Sequence, residues 1–425
     1  MKLLKERGLT WGGLFRLLAT NIREGGLQVT LRKALSHLRS TSRFSIDRYT
    51  RWYERHQLGD AGAAPAVFRG QGVVIIGALD IPQCKKYRVL QKVEYFTARG
   101  IPCAYAEFRD LHRAFSLMQL ASTVIFYRIP RWDECEALVA EAERLGLSMY
   151  YDIDDPIFDR DCYAQNRNLE TLSARERDGL LAQIPSYAAM MQRVGRVIVS
   201  TRAMQALAQQ RLQLQQVVLW PNLVDGAMLS VYASLPPAPV RSGDAVWLGY
   251  FSGSRAHDQD FASIVPVLAR LLEQFPQLHL RLGGFVSAPE ALLAFADRVV
   301  TSSFQSTAVY LETLRSIDIN LVPLLRDAFN DCKSAIRYLE ASLCGVVTVA
   351  DRIGQFADLV SHAETGMLCD SEAAWQQALQ QLIEDPALRD RLARAAQRQV
   401  LETQCLDAPA WSGLAAELGV GVAHG

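Results

Sequence analysis

Two short stretches of this sequence concentrate residue types that do chemistry. The first is Asp152-Ile153-Asp154-Asp155-Pro156. Asp152 and Asp154 alternate with Ile153, so an extended backbone puts them on one side. Three carboxylates at one strand end are costly unless they are solvated or bound. That predicts a place on a cleft wall, where Asp152, Asp154 and Asp155 orient or deprotonate a hydroxyl. The second stretch is Lys333-Ser334, with Glu340 seven residues after the lysine. At the start of a helix, an ammonium and free backbone N–H groups can share one phosphate. Two turns on, near the same face, a carboxylate suits the hydroxyls of a ribose.

Two further groups sit where strands give way to helices. Ser252-Gly253-Ser254-Arg255-Ala256-His257-Asp258 is a turn of small residues whose N–H groups can face an anion. Arg255 can supply a bidentate contact there, and His257 a bond to a phosphate or a sugar hydroxyl. In the first half of the chain Lys85, Lys86, Tyr87 and Arg88 open a helix, and Arg128 and Arg131 follow a strand. Lys86, Tyr87, Arg88 and Arg128 are the expected contacts to an acceptor or its phosphate. Each group also has a plainer reading, as a capped strand end, a solvated helix face or an ordinary strand–helix turn. The Asp-x-Asp pattern also permits a divalent metal site.

The elements that must position these groups follow from hydropathy. Short continuous apolar runs, as at Val73–Gly77, predict strands buried on both faces. They recur at 101–105, 124–127, 149–153 and 197–200, and again at 246–251, 278–282, 319–323, 346–350 and 366–369. Helical stretches separate them. Strand–helix alternation predicts parallel sheets with helices on both faces. In such sheets ligands lie beyond the carboxyl ends of the strands, where every group named above falls. The alternation halts once, at Pro236-Pro237-Ala238-Pro239 and Ser242-Gly243-Asp244, and then restarts. This predicts a basic helical extension over 1–60 and a Rossmann-like domain over 71–225. A linker over 226–244, a second Rossmann-like domain over 245–400 and a terminal segment over 401–425 complete the expected layout.

Composition narrows the function. The 425 residues hold 45 Lys and Arg against 45 Asp and Glu, which argues against a dedicated nucleic-acid binder. The balance is uneven, since residues 1–60 hold twelve Lys and Arg but five Asp and Glu. Leu27, Leu31, Leu35, Leu38 and Trp52 lie among those cations, as expected of a segment that packs on the body or meets an anionic membrane surface through residues 1–58. The eight cysteines are scattered, with no metal-ligand spacing, and no secretory or membrane-spanning segment is read. A cytoplasmic location, peripheral to the inner face of the cell membrane, is the expectation.

The C-terminal half resembles bacterial nucleotide-sugar glycosyltransferases of the GT-B fold, near glycosyltransferase family 4. The resemblance rests on GYFSGSRAHDQDF (249–261), FNDCKSAIRYLEASLCGVVTVA (329–350) and FADLVSHAETGMLC (356–369). It implies two Rossmann-like domains facing across a cleft. It also implies that Gly253, Ser254, Arg255, Lys333 and Ser334 bind the diphosphate of a nucleotide-sugar, and Glu340 its ribose. YDIDDPIFD (151–159) and PQCKKYRVLQ (82–91) are similar to stretches of O-antigen and capsule glycosyltransferases. By resemblance the activity is a retaining hexosyl transfer in surface polysaccharide assembly, with a lipid-linked or oligosaccharide acceptor and no cofactor or metal. Many members carry a second Glu eight residues before the helix Glu. Here that position is Cys332, which leaves Asp327 or Asp331 to meet the donor sugar, or no carboxylate. The rival expectation is a non-catalytic GT-B-like subunit of an assembly complex.

Overall fold

The computed structural model describes residues 72–214, 216–236, 245–253 and 258–420. Residues 67–425 belong to one compact unit. The basic extension over 1–60, the last eight linker residues, and Ser254, Arg255 and His257 lie outside the described residues.

Two six-stranded sheets, parallel throughout, organise the chain. The first contains β1 (Gly72–Gly77), β2 (Cys103–Glu107), β3 (Ala121–Tyr127), β4 (Ser148–Ile153), β5 (Arg196–Val199) and β6 (Gln216–Leu219), in the order β2-β1-β3-β4-β5-β6. The second contains β7 (Val246–Ser252), β8 (Leu278–Gly284), β9 (Val299–Ser302), β10 (Ile319–Val322), β11 (Val347–Asp351) and β12 (Met367–Cys369). Its order, β12-β11-β10-β7-β8-β9, is the doubly wound dinucleotide-binding arrangement. In each sheet the winding reverses beside the first strand, between β1 and β3 and between β7 and β10. Those crevices are where an open parallel sheet holds ligands.

The apolar runs form strands because both sheet faces are covered. All six residues of β1 and all four of β10 are buried. One core packs β7, β8 and β10 against residues 264–272 and the helix Glu372–Glu384. A second packs β1, β3 and Trp220 against residues from Leu406 to Val420. The chain thus returns from the second domain to the first. Val224 and Cys405 form a parallel bridge, and the Tyr95 hydroxyl donates to the carbonyls of Trp411 and Ser412 at 2.9 Å each. A third cluster joins the domains, with Tyr87, Val224 and Met228 packed among Leu324, Tyr338 and Leu339.

Three helices matter for the site. Helix α1 covers residues 82–97, and its segment Lys85–Leu90 is a π-helix, wider than the α-helical turns on either side. Helix α2, Gly226–Ser234, occupies part of the stretch expected to be linker, with Asp225 capping its first turn. Helix α3, Ile336–Leu343, follows β10 and carries Glu340.

Two glycines are required where strands approach the cleft. Gly284 ends β8 at φ +87°, and a Cβ there would lie 2.1 Å from the Ser252 carbonyl oxygen. At Gly77 a Cβ would lie 2.5 Å from the Tyr127 carbonyl oxygen, so β1 and β3 come together only without one.

Candidate functional site

The carboxyl ends of both sheets open onto one cleft of about 440 Å³ between the domains. From the first domain Lys86, Tyr87, Arg128, Asp154 and Asp155 line it. From the second come Gly253, Lys333, Ser334, Arg337, Glu340 and Tyr310. Apart from the alternative carboxylates Asp327 and Asp331, the sequence-predicted contacts described here therefore converge, with two exceptions.

The exceptions are Asp152 and Arg88. Asp152 is fully buried near the end of β4 and turns toward α1, away from the cleft. Its Oδ1 accepts from Arg88 Nε at 2.9 Å and Nη2 at 2.5 Å, and its Oδ2 meets Lys92 Nζ at 2.5 Å. Arg88 Nη1 donates to the Trp220 carbonyl at 2.7 Å and to Asn222 at 3.0 Å. Lys92 Nζ also donates to the Arg88 carbonyl and lies over the Trp220 ring. Burial, then the Arg88 charge, lowers the Lys92 ammonium to about 8 from its ordinary 10.5. All three side chains are spent on the inner wall of the first domain. Contrary to the sequence expectation, neither Asp152 nor Arg88 can reach a ligand in the cleft.

Asp154 and Asp155 are placed differently. Asp154 accepts from the Tyr127 hydroxyl at 3.1 Å and lies 3.5 Å from Arg128 Nε. Asp155 accepts from Arg128 Nη2 at 2.5 Å and, across the cleft, from Lys333 Nζ at 3.0 Å. Burial works against its charge, but Lys333 and Arg128 hold the carboxyl well below the usual range. Arg128 itself sits just past β3 at φ +54°, a left-handed conformation that costs a branched or bulky residue about 1 kcal/mol or more. Strain of this kind persists where the surroundings fix a side chain for use. Because Asp152 and Asp154 both carry cations, their oxygens are not arranged to chelate a metal through the Asp-x-Asp pattern.

The second domain offers a row of donors and one carboxylate. Asn330 N is capped by Asp327, the Lys333 N–H donates to the Asn330 carbonyl, and Ser334 leads into α3. Ser334 Oγ and Arg337 Nη1 are buried and, among the described residues, have no hydrogen-bond partner. Buried donors without acceptors are rare and call for an explanation, such as a ligand oxygen. Arg337 was missed by the sequence reading. It lies four residues after Lys333 and, on α3, three before Glu340, a spacing that puts Arg337 and Glu340 on one helix face. Glu340 accepts from the Tyr310 hydroxyl at 2.9 Å and from the Tyr87 hydroxyl of the opposite domain. Burial and the Glu340 charge push both phenols well above their ordinary range, so both remain donors.

Cys332 is buried, and its carbonyl accepts from Thr201 of the first domain at 3.2 Å. Neither alternative carboxylate lines the cleft. Asp327 caps its own short helix, and Asp331 accepts from the Gly354 N–H at 3.1 Å. Nearby, the buried Asp260 ties the domains together. It accepts from the Leu325 N–H and Asn330 of the second domain and from Asn168 of the first, at 2.9–3.2 Å. Among the described residues no helix is long and apolar enough to cross a membrane.

Comparison with known proteins bears on the fold. Residues 265–407 match the family described as glycosyl transferase-like. Over 145 residues the chain is 33% identical to a D-inositol 3-phosphate glycosyltransferase of Pseudarthrobacter chlorophenolicus, covering 31% of this chain and 33% of that relative. The chain thus spans about a third of the length of this curated relative. Sucrose-phosphate synthase from Thermosynechococcus elongatus superposes with a TM-score of 0.58 at 13% identity, over 82% of this chain and 98% of that one. HepE of Anabaena, solved with UDP-glucose, superposes with a TM-score of 0.54 at 14% identity, over 81% and 98%. At such identities structural likeness speaks for the fold. The chain has the GT-B fold of two Rossmann-like domains facing across a cleft, and its residues 265–407 carry the glycosyl transferase-like family pattern.

Proposed function

We propose that this protein is a glycosyltransferase that moves a sugar from a nucleotide-sugar, held by the second domain, to a hydroxyl of an acceptor presented by the first. The observation that carries this reading is the pair of buried donors without acceptors among the described residues, Ser334 Oγ beside Lys333 and Arg337 Nη1 one turn before Glu340. Lys333, Ser334 and Arg337 hold the diphosphate, together with the Gly253 turn and with Ser254, Arg255 and His257. Glu340 holds the ribose. As the bond from the sugar to the diphosphate breaks, negative charge grows on the leaving oxygen, where fixed cations stabilise it most. Asp154 and Asp155 face the acceptor hydroxyl, with Lys86, Tyr87 and Arg128 beside them. Burial between two domains keeps out water, the competing acceptor.

The HepE complex makes UDP the first nucleotide to test and a hexose the first sugar. Retention of configuration, a lipid-linked or oligosaccharide acceptor, and a role in surface polysaccharide assembly follow the resemblances of residues 82–91, 151–159 and 329–350. Residues 1–58 then bring the cleft to an anionic membrane surface on the cytoplasmic side. Their deletion should release the protein from anionic vesicles. Unchanged vesicle binding would contradict that role.

The test of the activity is a thermal-shift panel of UDP, GDP, dTDP and CMP, followed by slow hydrolysis of the matching nucleotide-sugar. Stabilisation by one nucleotide and hydrolysis lost in Lys333→Ala support the reading. Cys332, where many resembling enzymes carry Glu, favours a second reading, a subunit that binds without turning over. Nucleotide binding with no hydrolysis and no transfer would favour it.

A further inference from the structure

Asp155 is shared between the two halves of the cleft. One oxygen is held by Arg128 of its own domain and the other by Lys333 of the opposite one. Asp155 is the one carboxylate that Lys333 meets among the described residues. The pair is partly exposed, with side chains 21% and 23% accessible, so solvent and ligands reach it. Arg128 is fixed independently, by Asp154 at 3.5 Å and by Cys84 Sγ at 3.3 Å. Asp155 can therefore leave Lys333 without losing Arg128.

A phosphate oxygen on Lys333 and the Asp155 carboxylate carry the same charge and seek the same ammonium. Both cannot hold it at hydrogen-bond distance without strong repulsion. We propose that Asp155 is a positioning residue that links donor to acceptor: a donor phosphate displaces it from Lys333, and the freed carboxylate oxygen, still anchored on Arg128, accepts a hydrogen bond from the acceptor hydroxyl. Donor binding thus prepares the acceptor half of the cleft. This inference rests on the donor-site reading above. It adds a competition that reading does not require.

By reciprocity, whatever Asp155 loses when a phosphate binds, the phosphate loses to Asp155. Removing the carboxylate charge should therefore tighten donor binding. The experiment is a double-mutant cycle by calorimetry on the full chain, with UDP and uridine as probes. Wild type, Asp155→Asn, Lys333→Gln and the double variant are compared. Asp155→Asn should bind UDP about tenfold tighter, within the usual range for such coupling. In the Lys333→Gln background the same change should alter UDP affinity by no more than about twofold. Uridine, which has no phosphate, should bind alike to wild type and Asp155→Asn. Asp155→Ser repeats the cycle if the asparagine variant melts early.

Equal tightening in both lysine backgrounds would overturn the proposal, because a general field effect would then suffice. Weaker UDP binding by Asp155→Asn would overturn it too, placing Asp155 in direct support of the donor. If wild type and Asp155→Asn both fail to bind any nucleoside diphosphate of the panel, the donor-site reading itself falls, and this inference with it.

Discussion

Asp152 and Asp155 lie three residues apart in one segment, and each carboxylate meets two cations. Arg88 and Lys92 hold Asp152 with all three side chains fully buried, and every partner comes from the first domain. Arg128 and Lys333 hold Asp155 with the side chains 12–23% accessible, and the partners come from both domains. The contrast teaches that the count of charges around a carboxylate does not mark a site. What marks it is where the partners come from and whether anything else can replace them. Around Asp152 the cations are spent on Asp152, the Trp220 carbonyl and Asn222. Around Asp155, Ser334 Oγ and Arg337 Nη1 still offer donors that no described residue takes.

The largest effect that tests this contrast is at Asp152. Asp152→Ala leaves Arg88 and Lys92 buried without their counter-charge, which should cost about 3–5 kcal/mol of stability in urea unfolding. A loss below about 1 kcal/mol would erase the distinction between the two carboxylates. Next is Lys333→Ala. UDP affinity should fall about a hundredfold, as expected for a charge-assisted contact of about 2–3 kcal/mol, while unfolding stability stays within about 1 kcal/mol of wild type. A variant that loses stability and keeps its nucleotide affinity would reverse the assignment.

Lys92 gives a pH test with a definite sign. Its folded form sheds the proton near 8 and its unfolded form near 10.5, so between those values the unfolded chain binds more protons. Wild-type stability should therefore rise relative to Lys92→Met as pH goes from 8 to 10, by about 1–2 kcal/mol. Below pH 8 the cost of burying the ammonium is fully present and the difference should be flat. A falling difference would mean that Asp152, not burial, governs Lys92. The smallest effect is Tyr87→Phe, which removes one cross-domain bond to Glu340 and leaves Tyr310 in place. Stability should drop by about 1 kcal/mol.

Much of the architecture was legible because buried parallel strands announce themselves as apolar runs. β9 was not. Val299–Ser302 is a four-residue edge strand with Val300 exposed, so it has neither the length nor the burial that makes a run apolar. The crevice groups were legible at Lys333, Glu340 and Asp155, which fall past strand ends. Asp152 was misread because its partners arrive from one face of α1, and no local spacing connects residue 152 to residues 88 and 92. A related miss is Arg88: it and Tyr87 are neighbours on α1 and so face different sides, Tyr87 toward Glu340 and Arg88 inward. Arg337 carried a usable signal in its spacing between Lys333 and Glu340.

The central claim is that the second domain's crevice holds a nucleoside diphosphate. A crystal structure with the best-binding member of the nucleotide panel tests it directly. The account predicts phosphate oxygens on Lys333, Ser334 and Arg337, ribose hydroxyls on Glu340, and Asp155 turned from Lys333 toward the first domain. A nucleotide bound elsewhere, with the Lys333–Asp155 pair intact, would contradict it.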